Sequence, residues 1–116
     1  MTKNDLFTGI AERYAVSPDY PWRKLPDACV FRHRGNQKWF CLFMKVSAHC
    51  LGLEGKSVLS IINVKAPPEM IGSLRSIRGI FPAYHMNKEH WVSLVLNEVE
   101  SEMLWNLVDE SYQLTK

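Results

Sequence analysis

The 116-residue sequence lacks most of the features that would announce a catalytic activity. It contains no glycine-rich phosphate loop, no nucleophile-elbow motif and no HExxH zinc pattern. Cysteine is sparse: Cys29, Cys41 and Cys50 form no CxxC pair, and an odd number cannot close into a complete disulfide framework. Cys29 and Cys41 fall inside apolar runs, which suits reduced thiols acting as small hydrophobes. No apolar run approaches the roughly 20 residues that a membrane span needs. The polar start Met1–Asp5 is unlike a signal peptide, so a cytoplasmic protein without a membrane partner is expected. Repeats, linkers and low-complexity tracts are also missing, which predicts one domain over residues 1–116.

What the chain does hold is an uneven charge. Residues 20–96 carry eleven Lys and Arg against four acidic residues, whereas residues 97–116 carry Lys116 against five. A basic middle suits an anionic partner, and it suits a solvated sheet face equally well. Carboxylates are not clustered as hard cations require, and the first helix offers only Asp5 and Glu12. No metal and no cofactor is therefore expected.

Periodicity predicts a helix over Asp5–Tyr14, capped by Thr2 or Asn4, with Leu6, Phe7, Ile10, Ala11 and Tyr14 on its apolar stripe. Next comes an extended connection through Ser17–Pro26, anchored by aromatics such as Trp22. Cys29–Arg34 and Gln37–Val46 read as a hairpin with a two-residue Gly35-Asn36 turn. Ser47–Lys56 reads as a loop and Val58–Lys65 as a third strand. A second helix starts at Ala66-Pro67-Pro68-Glu69, buries Met70, Ile71, Leu74 and Ile77, and stops at Gly79. A strand His90–Leu96 precedes a last helix, Glu98–Leu114, with Asn97 and Glu100 as a capping box. The predicted order is α-β-β-β-α-β-α: an α+β fold with an antiparallel sheet and helices packed on one face.

The most concentrated chemistry lies in Pro82-Ala83-Tyr84-His85-Met86-Asn87-Lys88-Glu89-His90-Trp91. Together with Asp19-Tyr20-Pro21-Trp22, Val30-Phe31-Arg32, Lys38-Trp39-Phe40, Asn63-Val64-Lys65 and Asp109-Glu110-Ser111-Tyr112, this string resembles the MmcQ/YjbR family. The resemblance spans residues 19 to 112. It implies a CyaY-like, that is frataxin-like, fold and a DNA-binding role through a double-wing arrangement.

Phosphate contact takes Lys and Arg on one surface, and stacking takes planar groups nearby. Arg32, Arg34 and Lys38 surround the hairpin turn, while Lys65, Tyr84, His85, Asn87 and Lys88 supply further contacts. Trp22, His90 and Trp91 are expected to serve as structural anchors. An enzyme would use His85 or His90 as a proton shuttle, yet the only carboxylate in the run is Glu89. A protein-interaction or anionic small-ligand module is the alternative. Four tryptophans, of which Trp105 lies at the margin of the last helix's stripe, favour that alternative as much as they favour DNA.

Overall fold

A five-stranded antiparallel sheet carries three helices on one of its faces. The computed structural model describes residues 1–116. Helix α1 (Lys3–Tyr14) leads to strands β1 (Cys29–Arg32), β2 (Trp39–Ser47) and β3 (Val58–Lys65), then to helix α2 (Ile71–Arg75). Strands β4 (Ile80–Pro82) and β5 (Trp91–Val95) and helix α3 (Ser101–Leu114) complete the chain. The sheet order is β1-β2-β3-β5-β4, with every neighbouring pair antiparallel.

The α+β architecture agrees with the sequence, but the order gains a strand. β4 pairs with β5 from Ile80 opposite Leu94 to Pro82 opposite Val92. Three residues ending in proline are too few to show a strand period, and proline is tolerated there because the strand lies at the sheet edge. The Ala83–His90 segment is therefore the loop of a hairpin, not a lead into an isolated strand.

Other local expectations change for physical reasons. Thr2 caps α1, with its hydroxyl accepting from Asp5 N–H and the Asp5 carboxylate accepting from Thr2 N–H. Ala11 is exposed and Gly9 is buried in its stead. A Cβ at Gly9 would lie 2.4 Å from the Trp105 ring, so only glycine admits this indole, and the Arg13 guanidinium sits 3.8 Å from its centroid. Trp105 thus joins α1 to α3. The β1–β2 connection is wider than a two-residue turn: His33 N–H donates to Lys38 C=O, and the positive φ (64°) falls at Gln37 rather than at Gly35 or Asn36. Met70 is exposed because the segment Pro68–Met70 is a 3-10 turn, which shifts the buried stripe to Ile71 and Leu74. The capping box at Asn97 does not form. Glu98 and Val99 N–H groups turn back onto Val95 C=O, and α3 begins at Ser101 with Glu100 at its cap.

The main core lies between sheet and helices. Leu6 and Ile10 of α1, Ile71 and Leu74 of α2, and Leu104 and Val108 of α3 pack on Cys29, Phe31, Phe43, Ile62, Val64, Val92 and Leu94. Burial of the Cys29 thiol pushes it up to about 11, and Cys41 is raised further by the same cause, so both behave as apolar groups.

One polar contact breaks into this core. Phe31 pairs with Cys41 but Arg32 pairs with Trp39, so Phe40 is an extra, bulged residue of β2. Phe40 and Cys41 both reach the helix side, where Phe40 packs edge-on against Tyr14 and Tyr112. Beside the bulge, the fully buried Ser111 hydroxyl donates to Phe40 C=O (2.6 Å) and accepts from Lys65 N–H (2.9 Å). Further along, Thr115 Oγ1 donates to Ser111 C=O (2.8 Å) and meets His33 Nε2 at 2.7 Å, while Asn36 Nδ2 donates to Thr115 C=O. With the Thr115 proton given to Ser111, the imidazole proton is assigned to Nε2.

Ser111→Ala leaves a buried carbonyl and a buried amide without partners. A loss of about 2–4 kcal/mol is expected in urea unfolding, and a loss below about 0.5 kcal/mol would show that the hydroxyl is dispensable. His33 supplies a pH signature. Burial lowers its pKa below the ordinary 6.5, with Lys116 and Lys38 adding to the effect against the Tyr112 carbonyl. Its neutral form is the one the fold holds, so this contribution is complete above pH 6.5 and is lost as pH falls through the lowered folded value. The stability gap between wild type and His33→Asn should therefore be level above pH 6.5 and narrow as pH falls below it, and a constant gap would count against it.

Candidate functional site

The face that the helices leave free is built by strand alternation. Ile62, Val64, Val92 and Leu94 point to the helices, so Asn63, Lys65, Trp91 and Ser93 point the other way. Asn63 and Ser93 stand directly opposite each other in β3 and β5, and both are fully buried. A buried amide and hydroxyl need partners, and the β4–β5 loop provides them. Tyr84 N–H donates to Ser93 Oγ (2.9 Å), Ser93 Oγ donates to Asn63 Oδ1, and Asn63 Nδ2 donates to Tyr84 C=O (2.9 Å). This closed ring of three hydrogen bonds pins both backbone groups of Tyr84 to the sheet.

With Tyr84 pinned, the rest of the loop has to turn sharply. His85 takes φ 57°, a left-handed conformation uncommon for a residue with a Cβ, and its ring lies 4.1 Å from the Tyr84 ring. Asn87 closes the loop: its side-chain oxygen accepts from Glu89 N–H, and its carbonyl accepts from His90 and Trp91 N–H. Arg75 of α2 donates to Lys88 C=O at 2.7 Å. Asn87 is thus a turn-former, with its side-chain acceptor already engaged.

Three segments meet over the free face: the Trp22–Ala28 connection, the 3-10 turn Ala48–Leu51 and the Tyr84–His85 corner. Between them lies a cleft of about 370 Å³, floored by Ala28, Met44 and Val46 and bordered by Lys24, Cys50, Tyr84 and His85. Hydrogen bonding to Cys50, then burial, holds the Tyr84 phenol above its ordinary pKa. The loop expected at Ser47–Lys56 therefore contributes a wall through Cys50. No three His, Cys, Asp or Glu side chains converge anywhere, and no carboxylate approaches His85 or His90.

At the end of the sheet where β1 stops, a different set of groups lines up. Arg32 lies opposite Trp39, 5.5 Å from its ring centroid, and Lys65 lies opposite Trp91. All four are half-buried and stand on the helix-free face, on β1, β2, β3 and β5 in turn. The row reads cation, indole, cation, indole. Trp22 meets Trp39 edge-on at 5.7 Å. Arg32 is braced by Asp19, with Nε and Nη2 at 3.0 and 2.9 Å from one carboxylate oxygen.

The turn beyond this row is tied down. Asn36 spends its amide on Thr115 C=O and its oxygen on Lys38 N–H, and Gln37 donates to Arg34 C=O. Only the exposed Arg34 and Lys38 side chains extend from it. The structure thus separates the sequence-predicted residues into two places. Arg32, Arg34, Lys38, Lys65 and Trp91 share one end of the sheet, whereas Tyr84 and His85 face the cleft. Lys88 borders a smaller recess on the other side of Tyr84. His90 is half-buried, and its carbonyl accepts from Ala66 N–H. Trp39, Asn63 and Ser93 are site residues that the sequence alone did not mark out. A polar side chain inside each of two apolar strands was the signal available for the last two.

Comparison with known proteins places this geometry among relatives. The YjbR family model matches residues 11–114. The uncharacterised protein YyaQ of Bacillus subtilis is 44% identical over 117 residues, covering 100% of this chain and 99% of that protein. A crystal structure of a Pseudomonas syringae protein is 41% identical, with a TM-score of 0.98 and full coverage of both chains. A Deinococcus radiodurans protein with a DUF419 domain is 25% identical, with a TM-score of 0.73 over 97% of this chain and 77% of that one.

The hydrogen-bond ring around Tyr84 predicts where protection from exchange originates. Ser93→Ala removes the acceptor of the Tyr84 amide, so deuterium uptake across residues 83–90 should quicken about tenfold or more. Residues 33–38 should be unaffected, and unchanged uptake in the loop would show that something else holds it.

Proposed function

The chain belongs to the YjbR family, and on that footing we propose that it binds nucleic acid at the sheet end that carries Arg32, Trp39, Lys65 and Trp91. The observation that carries this reading is the alternation of cations and indoles along that row. Phosphates are met by ammonium and guanidinium groups, and base faces by the indole rings. Arg34 and Lys38 extend the positive field beyond the row from the turn. Asp19 costs the site part of Arg32's charge, but it also fixes the guanidinium, so less side-chain entropy is lost on contact. The role assigned to Tyr84, His85 and Asn87 shrinks, since each is committed to the cleft or to the turn.

A second reading has its own observation, the cleft beside Tyr84. Its 370 Å³ volume falls within the range of about 300–1,000 Å³ usual for small-ligand sites. An apolar floor bordered by Lys24, Lys45, His85 and the Tyr84 hydroxyl, against the one carboxylate of Asp27, suits a small amphipathic anion. Such binding would depend on apolar burial and respond weakly to salt, unlike contact with a phosphate backbone.

Fluorescence anisotropy with labelled DNA of random sequence, offered both as duplex and as single strand, tests the first reading. Affinity should fall steeply with salt, and Lys65→Ala and Arg34→Ala should each lower the log–log salt slope by about one. Dissociation constants weaker than about 100 µM at low salt for both forms would overturn it.

A further inference from the structure

We infer that the nucleic acid this site takes is single-stranded, laid across the helix-free face of the sheet, and not a duplex gripped by the hairpin turn. The inference rests on the nucleic-acid reading above and specifies the form of its ligand.

A hairpin that reads a duplex groove must present free donors and acceptors to base edges. The β1–β2 turn has few to present. Asn36 uses both ends of its amide within the protein, Gln37 turns its amide onto Arg34 C=O, and Arg32 is engaged with Asp19. Two connections, Asn36 and His33, tie the turn to Thr115 at the end of α3. The turn is therefore braced against the last helix, and Arg34 and Lys38 are left to touch phosphate without reading sequence.

The row has the opposite character. Trp39 and Trp91 stand on strands two places apart in the sheet order, with Lys65 on the strand between them. Stacked bases on both indoles would bracket the Lys65 ammonium, which then meets the intervening phosphate. Bases in a duplex are already stacked on one another and cannot offer their faces to a sheet, whereas an unpaired strand can splay them. Trp22 meets Trp39 edge-on from the same face, and the Asp19-braced Arg32 lies beside its ring, so Trp39 is held in place before the ligand arrives. The hydrogen-bonding groups along the row are donors only, the Lys65 ammonium, the Arg32 guanidinium and the indole N–H groups, so the contact relies on stacking and charge and is sequence-tolerant.

The test compares labelled oligodeoxyuridylate and oligouridylate of about 12 nucleotides with a duplex of the same length, at one salt concentration, on the full chain. The single strands should bind at least about tenfold more tightly than the duplex, and whichever of the two is tighter names the sugar. Tryptophan emission should be quenched on saturation by the single strands, a readout that needs no variant. Trp91→Leu should weaken single-strand binding by about tenfold while changing duplex binding little, and Trp91→Phe should restore most of the loss. Equal or tighter duplex binding, or saturation without quenching, overturns the inference and leaves the nucleic-acid reading standing. Failure of all three probes to bind overturns that reading itself. Should Trp91→Leu unfold, the quench and the single-strand-to-duplex ratio of the wild type decide the matter.

Discussion

Where β2 and β3 begin to part, the hydroxyl of Ser111 takes the position of a missing ladder hydrogen bond. It supplies a donor to Phe40 C=O and an acceptor to Lys65 N–H, so a helix side chain completes a sheet. Without it the bulge at Phe40 would leave two buried backbone groups unpaired, a cost that hydrophobic burial nearby would have to offset. With it, β2 can carry one extra residue, which swings Phe40 toward Tyr14 and Tyr112 and leaves Trp39 on the opposite face. The position of Trp39, the registry of α3 on the sheet and the bracing of the β1–β2 turn through Thr115 all descend from that contact.

The opposite face repeats the same logic with different groups. Asn63 and Ser93 would be expensive in the middle of apolar strands if they were not paired with each other and with Tyr84. Once paired, they turn a hairpin loop into a rigid corner. Each buried polar cluster thus fixes the place of one irregular segment: the β1–β2 turn on one side, the β4–β5 loop on the other. Apolar packing alone would allow either segment several nearly equivalent positions.

Much of this was legible in the residues. The α+β class, three helices, the β1–β2 hairpin and the bounds of β3 emerge from periodicity, because long amphipathic segments carry their own signal. What escaped was set by partners distant in sequence. β4 is too short to show a period. Gly35-Asn36 resembles a tight turn, yet Asn36 is drawn to Thr115 and the positive φ moves to Gln37. Asn97 resembles a cap, but Val95 C=O recruits the amides of Glu98 and Val99. The candidate site shows the same limit. Tyr84 to Trp91 is continuous in sequence and looked like one surface, whereas the row from Arg32 to Trp91 is assembled from four strands and exists only once their register is known.

The two outer strands of the sheet carry a further consequence. β1 has four residues, and Asp19 bridges to Val30 on its outer side, with N–H and C=O exchanged in both directions. β4 has three residues, and its last, Pro82, has no amide to offer. A protein that displays indoles on a sheet face would ordinarily risk growing by strand addition into fibrous assemblies. Here the growth direction is blocked at both margins, so the aromatic surface can stay sticky toward a ligand without making the molecule sticky toward itself.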